Sequence, residues 1–353
     1  MLKKGSTAAV TCIASAMLLS GCGLFQTDQA KTEIDPPQNV TYVNENKEEK
    51  QTAKEGKEEK QADTVMRELY LIDKNGYVVS QSIPLPKNEG SAKQTLEYLV
   101  DGGPISNLMP NGFRAVLPAD TSVSVDIQDG TAVVDFSNEF KNYKKEDEQR
   151  ILQSVTWTLT QFDSVAKVKL KMNGHELKEM PVNGTPISDD LSREDGINIQ
   201  HEAAADMTAT KPVTVYYLSE SDEQTYYVPV TKRASNEEDD LIVSAIDELV
   251  SGPSKTSQLL TDFDRDVKLN DVPKVKDGHV TLDFNESIFG SADEKKKVIS
   301  QKVLDSIVLT LTELPDVKSV SVKVNGKADL VNEKGAELTK PVSRPEQVNT
   351  GSF

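Results

Sequence analysis

The chain has 353 residues, a formal charge of −17 at neutral pH, and two cysteines, Cys12 and Cys22, both within its first 22 positions. That length suits two domains of ordinary size, and the excess of acid argues against a nucleic-acid partner and against a face-on approach to anionic lipid, which would repel it. With both cysteines within those first 22 positions, the rest of the chain has no disulfide framework, metal thiolate or cysteine nucleophile, and its stability must come from packed cores.

Lys3 and Lys4 form a positive region, Ala8 to Leu19 an apolar core, and Leu19-Ser20-Gly21-Cys22 has the spacing of a lipobox. The apolar run falls short of the roughly 20 residues that span a bilayer. Residues 1–21 therefore read as a cleaved lipoprotein signal peptide and Cys22 as the lipidated N-terminus, with an uncleaved anchor as the alternative. Cleavage removes two lysines and leaves a formal charge of −19. Two acyl chains, at ~0.8 kcal/mol per buried methylene, hold a protein firmly. The expected location is the extracytoplasmic face of the cell membrane, with the membrane touched through the lipid alone. Residues 22–63 read as a tether: Asn44 to Asp63 holds five lysines against seven acids and too little apolar surface to offset the entropy of ordering it.

The first domain is expected over 64–182. Glu68 to Asp73 and Tyr77 to Ile83 are β-rich runs joined by Lys74-Asn75-Gly76, a hairpin signal. Ser91 to Asp101 places Ala92, Leu96, Leu99 and Val100 at helical spacing before Gly102-Gly103-Pro104. Ser122 to Ile127 and Thr131 to Phe136 alternate around Asp129-Gly130, a second hairpin. Lys145 to Phe162 carries Ile151, Leu152, Val155, Leu159 and Phe162 on one helical face, with Glu146, Asp147 and Glu148 at the positive end of its dipole. Val165 to Met172 then alternates Val168, Leu170 and Met172 with Lys167, Lys169 and Lys171.

The connector over 183–211 offers Ile187, Leu191, Ile197 and Ile199 as docking points, compatible with either a rigid stack or a hinged pair. The second domain, over 212–340, repeats the first: Ser154 to Gly174 aligns without gaps with Ser306 to Gly326 at an offset of 152, with nine identities in 21 positions. Gly103-Pro104 matches Gly252-Pro253, and Asp129-Gly130 with Asp135-Phe136 matches Asp277-Gly278 with Asp283-Phe284. The expected elements are strands Val213 to Tyr217 and Thr225 to Val230, helix Asp239 to Val250, strands Val267 to Val275 and His279 to Phe284, helix Asp293 to Leu314 and strand Val317 to Val324, before a tail over 341–353. A period this long marks a duplicated domain rather than a solenoid.

Helices alternating with hairpins, and strands with one apolar face, give an α+β fold: two tandem copies of a small sandwich, each with two helices packed on one face of a mostly antiparallel sheet. The other face carries Lys167, Lys169 and Lys171 in one copy and Ser319, Ser321 and Lys323 in the other. It is either a solvated face or one offered to a partner. His175, His201 and His279 share no metal-ligand spacing, and no nucleophile elbow, phosphate loop or dinucleotide glycine pattern occurs. Asp135 and Asp283 read as turn caps at equivalent strand ends rather than as an acid pair. No catalytic residue, metal or cofactor is expected, and the chain does not read as an enzyme.

The lipobox, the acidic tether and the doubled Gly-Pro, Asp-Gly, Asp-Phe and Asn-Gly pattern, with Glu68 to Asp73, Asn111 to Pro118, Ser287 to Glu294 and Val348 to Phe353, resemble the sporulation and germination lipoproteins of bacilli that carry paired GerMN domains. The resemblance covers essentially the whole chain. It implies a fold similar to the ring-building motif, with the order helix, two strands, helix, strand. It also implies a non-enzymatic lipoprotein of the outer forespore membrane that helps a channel or platform complex between mother cell and forespore assemble in the intermembrane space. Its partners would be envelope proteins of that complex, with self-assembly into rings left open. Only Cys22 carries over as a functional residue. A cell-wall binder acting in germination is the alternative, motivated by Tyr42, Tyr70, Tyr77, Tyr143, Tyr216, Tyr217, Tyr226 and Tyr227 as sugar-stacking candidates, two pairs of which are expected to face each other across a hairpin.

Overall fold

The computed structural model describes residues 63–199, 210–221, 224–235, 240–289, 297–328 and 330–350. Strands β1 (Thr64–Asp73) and β2 (Val78–Pro86) form the expected hairpin, in register from Thr64 opposite Pro86 to Ile72 opposite Val78. Its turn closes on Asp73, whose Oδ1 accepts from the backbone N–H of Asn75 at 2.9 Å and of Tyr77 at 2.8 Å. Helix α1 (Ser91–Glu97) follows, then the short β3 (Phe113–Arg114), which pairs with the far side of β1. Helix α1 is shorter than its apolar spacing suggested. Leu99 and Val100 are buried from an irregular segment, and Val100 bridges Leu117.

A second sheet runs β4 (Val123–Gln128), β5 (Thr131–Phe136), β6 (Lys167–Met172) and β7 (His175–Glu176) in that spatial order. The pairs β4–β5 and β6–β7 are antiparallel hairpins, whereas β5–β6 is parallel because helix α2 (Glu148–Leu159) intervenes and returns the chain to the starting end. Residues 145–147 form a separate 3-10 turn ahead of α2.

The second copy reproduces this plan. Strands β8 (Thr210–Ser221) and β9 (Gln224–Ser235) form the hairpin, α3 (Leu241–Ser251) follows, and β10 (Lys274–Lys276), β11 (His279–Phe284), β13 (Ser319–Val324) and β15 (Val342–Ser343) make the sheet. The short β12 (Val298–Ile299) pairs with β14 (Val331–Asn332), and α4 (Gln301–Leu311) crosses between β11 and β13. Two expectations shift here. The helix expected from Asp293 starts at Gln301, because β-branched Val298 and Ile299 extend into a strand; residues 290–296 lie outside those described. The strand expected over 267–275 is cut to three residues, with Pro273, which has no N–H to donate, immediately before it.

The alternating residues do what their spacing requires. Ala132, Val134 and Phe136 on β5, with Val168 and Leu170 on β6, meet Ile151, Leu152, Val155 and Leu159 of α2 in one core. Val280, Leu282, Phe284, Val320 and Val322 meet Val303, Leu304, Ile307 and Leu311 of α4 in the other. Each such side chain contributes about 1.5–3 kcal/mol when fully buried. Among the described helices none is long and apolar enough to cross a membrane.

Candidate functional site

Cys22 and the expected tether up to residue 62 lie outside the described residues, as do His201 and Tyr42. His175 is exposed on β7, while His279 on β11 sits with Nδ1 3.2 Å from Ser319 Oγ and Nε2 3.4 Å from Thr281 Oγ1. Among the described residues no group of three or more His, Cys, Asp or Glu side chains is placed to hold a metal ion.

Asp135 and Asp283 are matched in detail. The Asp135 carboxylate accepts from the Gly174 N–H at 2.9–3.0 Å, and Asp283 Oδ1 accepts from the Gly326 N–H at 3.0 Å. Each aspartate thus ties the Asn-Gly turn of the neighbouring parallel strand, where Asn173 and Asn325 hold positive φ of 49° and 48°. They are structural caps, one per copy.

The tyrosines offer little to a sugar. Tyr70, Tyr216, Tyr217 and Tyr226 are buried. Tyr217 and Tyr216 stand opposite Val228 and Pro229, so the expected pairing with Tyr226-Tyr227 does not form: the first strand runs to Ser221, one residue further than that pairing requires, which moves each partner by two. Tyr226 instead crosses to the first copy, where its hydroxyl donates to Asp73 Oδ2 at 2.8 Å. Burial raises the Asp73 carboxyl above its ordinary range despite that bond.

The most elaborate polar arrangement lies between the copies. Connector and tail act as two equivalent straps. Asn198 Oδ1 accepts from the Val78 N–H at 2.8 Å, and its Nδ2 donates to the carbonyls of Val78 at 2.7 Å and Pro229 at 2.8 Å. Asn349 Oδ1 accepts from the Tyr227 N–H at 2.7 Å, and its Nδ2 donates to the carbonyls of Tyr227 at 2.7 Å and Ser80 at 2.9 Å. Each asparagine binds the second hairpin strand of its own copy and reaches across to that of the other. Beside them, Ile197 exchanges hydrogen bonds with Thr231, and Val348 with Ser82. Reciprocal contacts of this kind are the signature of an isologous, two-fold-like interface, here closed within one chain. Of the docking points expected on the connector, Ile187, Leu191 and Ile197 are buried and Ile199 is exposed.

Both straps also bring an arginine to Glu313, just beyond α4. Arg193 Nη1 lies 2.5 Å from Glu313 Oε2 and Arg344 Nη1 lies 3.0 Å from Oε1, while the Tyr216 hydroxyl donates to Oε1 at 2.7 Å. The guanidiniums lie over aromatic faces, Arg193 4.4 Å from the Trp157 centroid and Arg344 5.5 Å from that of Tyr216. Burial by itself raises Glu313, but the two guanidiniums outweigh it and hold the carboxyl below its usual range. None of these residues stood out among the repeat matches. The available signal was an extension of the repeat: Ser192-Arg193 with Ser343-Arg344, and Asn198 with Asn349, all recur at an offset of 151.

On the open sheet face, Lys167 and Lys169 both pair with Asp190, at 2.9 and 3.3 Å. In the second copy Ser319, Ser321 and Lys323 alternate with buried valines on β13.

Residues 68–178 and 214–329 match the model of the Germane family, described as sporulation and spore germination. Over the full length of both chains, the protein is 68% identical to the spore germination protein GerM of Bacillus subtilis strain 168. The fold matches the solved tandem GerMN domains of the sporulation protein GerM from Bacillus subtilis, with a TM-score of 0.77 at 71% identity, over 81% of this chain and all of that one.

Proposed function

The chain belongs to the Germane family of sporulation and spore germination proteins, and from that premise we propose that it is a lipid-anchored, non-enzymatic envelope protein that assists assembly of the channel complex between mother cell and forespore. Cys22 is the anchor, the tether sets the folded part away from the bilayer, and the two copies present their outer surfaces to envelope partners in the intermembrane space. The observation that carries this reading is the locked pair of copies: the conspicuous polar residues, Glu313, Arg193, Arg344, Asn198 and Asn349, are committed to joining the two copies. A protein built this way offers a rigid shape rather than a reaction centre.

Affinity capture from crosslinked sporulating cells tests it, comparing the tagged chain with Cys22→Ala, with purified peptidoglycan sedimentation run alongside. Recovery of channel-complex proteins with the intact lipoprotein, reduced for Cys22→Ala and without pelleting, is the expected result. Pelleting with wall and no protein partner would replace this reading with a glycan binder.

A further inference from the structure

Among the described residues, strands β4 and β10 each end their sheet, and they occupy equivalent places in the two copies. Both run into a two-residue turn with positive φ at each position: Asp129 and Gly130 at 49° and 78°, and Asp277 and Gly278 at 53° and 78°. In such a turn the flanking pair, Gln128 with Thr131 or Lys276 with His279, exchanges both backbone hydrogen bonds. The pattern alternates from there. Asp126 and Lys274 also direct their backbone groups inward, and the intervening Ile127 and Val275 direct N–H and C=O towards the open edge.

Ile127 and Val275 are equivalent at the same offset of 148 as the two turns, and both are large apolar side chains left 38% and 40% exposed. The polar neighbours have diverged in opposite senses. Ile127 lies between Asp126 and Gln128, all exposed, whereas Val275 lies between exposed Lys274 and Lys276. Lysine on an edge strand ordinarily discourages pairing. An edge carrying aspartate at the matching position is the edge it would accept.

We propose that the β4 edge of one molecule pairs antiparallel with the β10 edge of a second copy of this chain, with Ile127 opposite Val275. That register places Asp126 directly opposite Lys276 and Gln128 opposite Lys274, and opposite charges in directly paired positions are favourable. Pairing β10 with β10 would set Lys274 against Lys276, and pairing β4 with β4 would form no ion pair. The contact is heterologous, unlike the closed interface between copies, so each added molecule leaves one β4 and one β10 edge for the next. Three residues of β10 make it a weak contact, suited to molecules concentrated on one surface.

The chain from Gly23 onward contains every described residue and no cysteine, which permits a direct test by disulfide trapping. An Ile127→Cys chain is mixed with a Val275→Cys chain under mild oxidation. Directly opposed residues whose backbones bond to each other lie with Cα atoms about 5.5 Å apart, within disulfide range. The mixed disulfide should exceed either homodisulfide at least tenfold, should fall at least fivefold when Asp126→Lys is added to the first chain, and should recover when Lys276→Asp is added to the second. A mixed product no more than twice either homodisulfide, or one indifferent to charge reversal, overturns the proposal. Recovery by the paired reversal also separates loss of contact from loss of folding.

Discussion

The two copies share one arrangement of hairpin, helix and strap, yet the position just beyond the crossover helix is Gln161 in the first and Glu313 in the second. Gln161 is a local fastener: its Oε1 accepts from the Glu68 N–H at 3.0 Å and its Nε2 donates to the Glu68 carbonyl at 2.7 Å. Glu313 holds the arginines of both straps. The helix contact nearby did not diverge, since Thr158 Oγ1 accepts from the Tyr70 N–H at 3.2 Å and Thr310 Oγ1 from the Tyr216 N–H at 3.0 Å. Backbone geometry was thus duplicated and retained, while one neutral-to-acid difference made the second copy the anchor of the ionic contact. Glu68 of the first copy adds a longer pair to Arg344 at 3.7 Å, so an acid at position 161 would be a third carboxylate near two arginines, at a desolvation cost that only further cations could offset.

That comparison is broken most strongly at Glu313. Glu313→Ala leaves Arg193, half-buried, without its carboxylate and Arg344 with Glu68 alone at 3.7 Å, and should cost about 3 kcal/mol, against about 1–2 kcal/mol for Gln161→Ala, both read from urea unfolding. Equal losses would contradict the asymmetry. The same residue has a pH signature. Its carboxyl is held below the usual range, so its contribution is present above the unfolded glutamate value of about 4.3 and is lost as pH falls towards the lower folded value. The acid limb of unfolding should therefore flatten in Glu313→Gln.

A second asymmetry lies at the start of the crossover helices, where Glu148 corresponds to Ser300. Buried Glu148 accepts from the backbone N–H groups of Asn183 at 2.6 Å, Thr185 at 3.1 Å and Val182 at 3.2 Å, and from the Tyr143 hydroxyl at 3.0 Å. Glu148→Ala should cost about 2–3 kcal/mol and open 181–185 to proteolysis, because several donors lose a charged acceptor. Ser300→Ala, at the matching place, should cost about 1 kcal/mol. Protection of 181–185 unchanged in the glutamate variant would refute this assignment.

The straps sharpen the likeness rather than the difference. Asn198→Ala and Asn349→Ala should each cost about 1–3 kcal/mol, and by similar amounts, since each leaves matching groups on the two hairpins unpaired. A double variant whose loss departs from the sum would show that the straps couple through the shared interface. The smallest effect is expected on the open face. The side chain of Lys167 is 52% exposed in its pair with Asp190, and Lys167→Ala should change stability by no more than about 0.5 kcal/mol, an effect that shrinks with added salt.

Much of each copy was legible in the sequence because the signals are local. Period-two alternation marked β5 and β11 to the residue, and Asp-Gly and Asn-Gly turns require positive φ that few residue types adopt. The apolar face of α2 was visible for the same reason, and so were Asp135 and Asp283 as caps. The misplacements came where tertiary contacts override local preference. Helix α1 stopped early, α4 started late against the short strand at Val298, and Tyr216 and Tyr217 took partners other than Tyr226 and Tyr227. The strap arginines and asparagines read as ordinary polar residues of a connector and a tail. Their roles depend on groups 31 to 269 positions away.

By itself the sequence determined an acidic balance and two copies of one α+β domain, because periodicity, turn chemistry and internal repetition are written in neighbouring residues. Only the tertiary structure decided how the copies meet: which strand each strap crosses, that Glu313 faces both arginines, and that Tyr70, Tyr216, Tyr217 and Tyr226 are interior. Those outcomes depend on desolvation and on hydrogen-bond geometry between distant segments, and no local pattern encodes either.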